Sequence, residues 1–261
     1  MIKNSVINWK VFWVLFGASI FGVIAVMPFA LTLQSDLLNE IPFPLPIVLL
    51  LSIVQSSILF FVLILVGLFI SKKIGFGAPI LERWSEKKEI KTYFKSILGI
   101  SIGLGILAGT LIIIADYILY LSSTASISVA ANQPAVWQGL LASFYGGINE
   151  EIMLRLLFMS LTVWVLFKIK KTDDGKPTNL SIWLSIIFAA ILFGLLHLPI
   201  TTSLTAITPV IIARALVLNG IGGVIFGWLY WKKGLESAMI SHFSADIILY
   251  VIFPLIPINL L

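Results

Sequence analysis

Seven apolar stretches, near 11–33, 46–71, 96–121, 148–168, 180–199, 209–231 and 235–253, decide what this chain can become. Each has the roughly 20 residues that a helix needs to cross a hydrocarbon core about 30 Å thick. Such a core offers the backbone no hydrogen-bond partners, so only helices and closed barrels can span it. The short alternating segments and regular turns of a barrel are absent from this sequence. The expected fold class is therefore all-α: a polytopic transmembrane helix bundle of seven to eight membrane helices plus an interfacial amphipathic helix. It is read as a single integral membrane domain over residues 1–261. Composition agrees: 59% of the residues are hydrophobic and 11% are charged. A soluble domain carries about twice that charged fraction.

The placement of charge says more than its net value of +5. Of the 17 Lys+Arg, only Arg155 and Arg214 fall inside apolar stretches and not at their ends. The others gather at the N-terminus, around 72–95, around 168–176 and at Lys232-Lys233, while segments 34–45, 122–136 and 200–208 contain none. Every basic segment lies on one side if the N-terminus is cytoplasmic, which is the positive-inside pattern. The basic balance thus reports topology and gives no reason to expect nucleic acid as a partner. A multi-pass protein of the cell (plasma) membrane is expected, with the lipid bilayer as its solvent. The apolar core after Met1 is too long for a signal peptide and is read as a retained span. Segment 72–95 mixes Lys, Glu, Phe and Trp and is read as an amphipathic cytoplasmic helix on the headgroups. Pro254 and Pro257 would allow the last stretch to turn back as a short eighth helix. Cysteine is absent, which removes thiolate nucleophiles, disulfides and cysteine zinc sites.

Intramembrane acid–base groups concentrate in three clusters: Glu150-Glu151 with Arg155, Phe193 to His197, and His242 with Asp246. Charges in hydrocarbon are costly and face a bundle interior, so each cluster is a functional-site hypothesis. Both histidines of the chain lie in these clusters. Glu151 and Arg155 are four residues apart and can pair on one helix face. Glu150 is rotated by about 100° from Glu151 and can meet a different partner. A carboxylate left free in a low-dielectric site suits general-base work. His197 precedes Leu198-Pro199, where a helix is expected to end. Phe193 lies one turn earlier on the same face and could wall the site. His242 and Asp246 share a face, so Asp246 can orient the imidazole, or both can address one substrate oxygen. Structural readings stand beside each: a Glu–Arg pair with a helix-end carboxylate, a helix-end histidine, a satisfied His–Asp pair. Asp116 and Arg214 are read as a structural ion pair. The glycine-rich runs 99–109 and 220–227 are read as helix-packing surfaces.

Gly146-Gly147 is expected to break or bend the chain before the Glu pair. A straight helix from Val136 to Lys168 would be about 50 Å long, too much for a ~30 Å core. The Glu pair then lies near a helix start, at the membrane edge. His242 falls about 10 Å from the opposite edge. Simple spans therefore do not bring the clusters to one depth, and the face of substrate entry stays open.

The ordered motifs EEIMLR (150–155), FGLLH (193–197) and HFSAD (242–246), with the lead-in GWLYWKKGLE (227–236), resemble the CPBP family. This is the CAAX protease and bacteriocin-processing family of intramembrane proteases, which includes type II CAAX prenyl endopeptidases. The resemblance covers roughly 135–250 and makes that region the expected catalytic core. It implies an intramembrane endopeptidase in which Glu150 activates water with help from His197. His242 and Asp246 would stabilise the oxyanion, and Glu151 with Arg155 would order the site. The substrate would be a peptide or protein at the membrane, including CAAX-type processing of prenylated peptides. Relatives often have Asn where this chain has Asp246, and a carboxylate can only accept hydrogen bonds. Cofactor use is open: no required cofactor is the preferred reading. A zinc ion on Glu150, His197 and His242, as in metalloproteases, is the alternative. Two other functions stand beside the enzyme: a non-catalytic immunity or regulatory scaffold of the same fold, and a proton-coupled carrier.

Overall fold

The structure, a computed structural model, describes residues 7–38, 42–122 and 133–256. Among these, seven helices are long and apolar enough to cross a membrane. They are α1 (Trp9–Leu33), α2 (Leu45–Lys73), α3 (Lys91–Leu119), α4 (Val136–Ile169), α5 (Asn179–Thr202), α6 (Pro209–Lys233) and α7 (Leu235–Leu255). The protein is an integral multi-pass membrane protein, and the spans fall where the apolar stretches predict. Polar residues just outside the apolar runs set the helix starts. The Asn8, Thr178 and Thr208 side chains accept from the backbone N–H groups of Val11, Ser181 and Ile211. Each satisfies one of the otherwise orphaned donors of a first turn. Gly234, at φ 82°, makes the sharp turn between α6 and α7 that a side chain would resist.

Large apolar side chains stay exposed along α2, including Leu50, Leu51 and Ile58. That is the pattern of a helix facing lipid. The core forms instead around α4, where Ile152, Leu156 and Met159 are fully buried, with Phe12 of α1, Ile64 of α2 and Phe226 of α6. Glycines allow the closest helix approaches. A Cβ on Gly105 of α3 would collide with the Ser241 carbonyl and lie 2.7 Å from Ser244 Cβ of α7. On Gly109 it would lie 2.8 Å from the Ala245 carbonyl. Gly99, Gly103 and Gly220 have open space around them, so only part of each glycine-rich run is a packing surface.

Two expectations are corrected. First, the chain does not break at Gly146-Gly147: α4 runs continuously from Val136 to Ile169. It widens into π-helical turns over Tyr145–Glu150 and Ile152–Met159. The glycines serve contact, since a Cβ on Gly147 would lie 3.0 Å from the Met239 carbonyl and from Phe243 Cβ of α7. Glu150 therefore lies fourteen residues into α4, about 20 Å from its start, not at a membrane edge. Second, segment 72–95 is not one interfacial helix. It holds the end of α2, a seven-residue helix Pro79–Ser85, and the start of α3. This short helix docks on protein. The buried Glu236 carboxylate of α7 accepts from Leu81 N–H at 2.9 Å, and Leu235 N–H donates to the Gly77 carbonyl at 3.0 Å. The chain turns in a 3-10 segment, Phe253–Leu255, and the rest of the expected eighth helix lies outside the described residues.

Candidate active site

Arg155 fixes the centre. Its side chain is fully buried on α4, where an unpaired guanidinium would be prohibitively costly. NH1 lies 3.2 Å from Glu151 Oε1 as a charge contact, and NH2 donates to the Gly223 carbonyl of α6 at 3.2 Å. The guanidinium carbon also lies 5.3 and 5.5 Å from the ring centroids of Phe193 and Phe226. Aromatic faces at that range add cation–π attraction. The Glu151–Arg155 pair expected from spacing is therefore formed.

Spacing did not reveal the second bond of Glu151. His242 Nδ1–H donates to Glu151 Oε1 at 2.7 Å across α4 and α7. Of the two readings of Asp246, the bond that would hold the imidazole is not formed: its Oδ1 lies 3.8 Å from Nε2, beyond hydrogen-bond length. With Nδ1 occupied, Nε2 is directed toward Glu150 Oε2, at 3.6 Å, and Asp246. Phe226 stacks on the imidazole, with centroids 4.5 Å apart and planes at 20°. Phe193 meets it edge-on at 5.6 Å. The ring is thus held in its plane and in one tautomer. Gly146 makes room for this arrangement, because a Cβ there would collide with the Asp246 carboxylate and lie 3.2 Å from His242 Nε2.

A cavity of about 370 Å³ extends from these groups and is lined by Glu150, Phe193, His197, His242 and Asp246 together. All three clusters therefore meet. The depth conflict disappears because Glu150 lies about 20 Å from one end of α4 and His242, seven residues into α7, about 10 Å from the opposite face. His197 ends the main helix of α5. Its Nδ1 lies 2.9 Å from the Phe193 carbonyl, and its ring lies 4.9 Å from the Phe193 ring. With Nδ1 donating to that carbonyl, Nε2 is its free nitrogen. Glu150 and His197 keep partial exposure to the cavity, while Glu151 and Arg155 have none.

Glu150, His197 and His242 line one cavity but do not converge as a metal-ligating group among the described residues. His242 Nδ1 bonds Glu151 and His197 Nδ1 bonds the Phe193 carbonyl, which leaves the Nε2 atoms of both imidazoles without a hydrogen bond to these partners. Asp116 and Arg214 form the predicted pair, a two-point contact at 2.6 and 2.8 Å between α3 and α6. Sequence reasoning missed Phe226, Tyr145 and Asn219, which also line the cavity. Phe226 sits inside the glycine-rich 220–227 run, where its only sequence signal is that of packing.

Fold and site together define a multi-pass membrane protein with carboxylates and imidazoles gathered around an intramembrane cavity. Residues 132–248 match the family described as type II CAAX prenyl endopeptidase Rce1-like. The chain carries an Rce1-like domain on the helices that hold the three motifs, in keeping with a CPBP-family protease. No curated protein and no solved structure matches the chain.

Proposed function

We propose that the protein is an intramembrane endopeptidase that hydrolyses a peptide bond with water activated by Glu150 and His197. The observation that carries this reading is the division of labour between two adjacent glutamates. Glu151 is consumed by Arg155 and His242, while Glu150 faces the cavity beside His242 Nε2. In the proposed reaction Glu150 takes a proton from water, oriented by His197, as the water oxygen bonds to the substrate carbonyl carbon. Protonated His242 donates from Nε2 to the oxyanion, its charge balanced by Glu151 on the other nitrogen. The C–N bond then breaks, and Glu150 returns the proton to the leaving amine. Asp246, when protonated, donates to the same oxygen. Residues 135–250 act as the catalytic core, and no step requires a metal or cofactor. The protein resides in the plasma membrane with a cytoplasmic N-terminus.

The test is cleavage of a membrane-peptide library and of a prenylated CAAX peptide by purified protein, beside Glu150→Gln and His197→Ala. Each variant should lose at least about 10²-fold in turnover, the usual scale of general acid–base catalysis. Full cleavage by both would refute the assignment. An immunity or regulatory phenotype that persists in both would favour the non-catalytic scaffold.

A further inference from the structure

The cavity approaches one face of the bundle. It is lined by Phe29 and Gln34 at the end of α1, by Ile112 in the second half of α3, and by Leu218 in the first half of α6. Ile200, past the main α5 helix, and Tyr250, near the end of α7, complete the wall. These positions all lie toward the helix ends that meet segments 34–45, 122–136 and 200–208. Contacts tie those ends together: the Gln138 amide donates to the Pro28 carbonyl at 3.0 Å, and Phe29 and Tyr250 meet ring to ring at 5.4 Å. Toward the other face the site has a floor. Arg155, Phe226, Tyr230, Leu235 and Ala238 are at most 1% exposed.

The floor side is the basic side. Lys10 and the short helix Pro79–Ser85 meet there, as do the start of α3 and the α6–α7 turn. Among the described residues, every lysine and arginine outside the spans belongs to that side, and segments 34–45, 122–136 and 200–208 contain none in sequence. A bias this complete sets the cytoplasmic face, because short loops rich in Lys and Arg are retained there.

We propose that the cavity opens away from the cytoplasm. Its substrates would be apolar peptide segments presented from the outer half of the bilayer, not lipidated C-termini arriving from the cytoplasm. The wall agrees with the chemistry of such a ligand: Phe29, Ile112, Leu218 and Leu249 offer apolar contact above the carboxylates. The substrate class rests on the protease reading; the orientation does not.

Because the chain has no cysteine, single substitutions can report sidedness without background. Gln34→Cys, Ile200→Cys and the deeper Asn219→Cys are compared with Lys88→Cys and Lys176→Cys. A membrane-impermeant thiol reagent is applied to intact cells and to permeabilised cells. The first three should label fully in intact cells, and the last two only after permeabilisation. The opposite pattern, or Asn219→Cys that labels only from the cytoplasm or from neither side, overturns the orientation. A reporter carrying one apolar peptide is then tethered to either face of the membrane. Cleavage confined to the outer tether is expected, and cleavage confined to the cytoplasmic tether overturns the substrate class. Labelling needs no activity, so a failed protease reading would abolish cleavage at both tethers and leave the sidedness result intact.

Discussion

Glu150 and Glu151 are neighbours in the chain and opposites in environment. Glu151 has no exposure and serves Arg155 and His242 at once. Removing one member of a buried charge pair leaves the other uncompensated, at a cost of about 3–5 kcal/mol. Glu151→Leu should therefore lower thermal stability in detergent by that amount. Glu150→Gln, beside the cavity, should change stability by less than about 0.5 kcal/mol while cleavage is lost. Asp246 gives a second contrast. Asn keeps a hydrogen-bond donor and Leu does not, so Asp246→Asn should retain cleavage while Asp246→Leu loses it, read as kcat/KM. Equal loss in both would remove the donor role. Cleavage should also survive a strong chelator, measured together with the metal content of the purified protein. Inactivation reversed by zinc would refute the metal-free mechanism. Pairings within one helix, such as Glu151 with Arg155, were legible from four-residue spacing. The Glu151–His242 bond joins residues 91 apart on different helices, and no local pattern reports it.

At the scale of elements, glycines divide into those that touch a partner and those that do not. Gly105→Ala would drive a methyl into Ser241 and Ser244 of α7 and should cost about 1–3 kcal/mol, the range for overpacking. Gly103→Ala, with open space around it, should be neutral or stabilise by up to about 1 kcal/mol. A pair of melting curves checks both. Glu236 makes a similar argument for the short helix Pro79–Ser85. Glu236→Ala removes the acceptor for Leu81 N–H, so limited proteolysis near Lys87 and Lys88 should accelerate. The long helices were readable because hydropathy alone determines them. The continuity of α4 was not, because the glycines that suggest a break from sequence are used instead for contact with α7. Segment 72–95 was legible only in part: its amphipathic pattern marks a stretch between two spans but does not report that it divides into the end of α2, the helix Pro79–Ser85 and the start of α3.

For the whole molecule, seven spans and a one-sided charge pattern were legible, because bilayer thickness and loop charge act on composition. Where the three clusters meet depended on how the helices pack, and composition is silent there. Arg155 has one more consequence, in the order of synthesis. It leaves the ribosome 68 residues before Gly223, and Glu151 leaves 91 residues before His242. Until α6 and α7 arrive, α4 holds a charged pair that lipid alone accommodates poorly. A chain ended after α5 should therefore remain bound to the insertion machinery, while one that includes α7 is released into lipid; site-specific crosslinking from α4 measures the difference. That outcome would make the charged centre a checkpoint in biogenesis, which holds α4 back until α7 has been made.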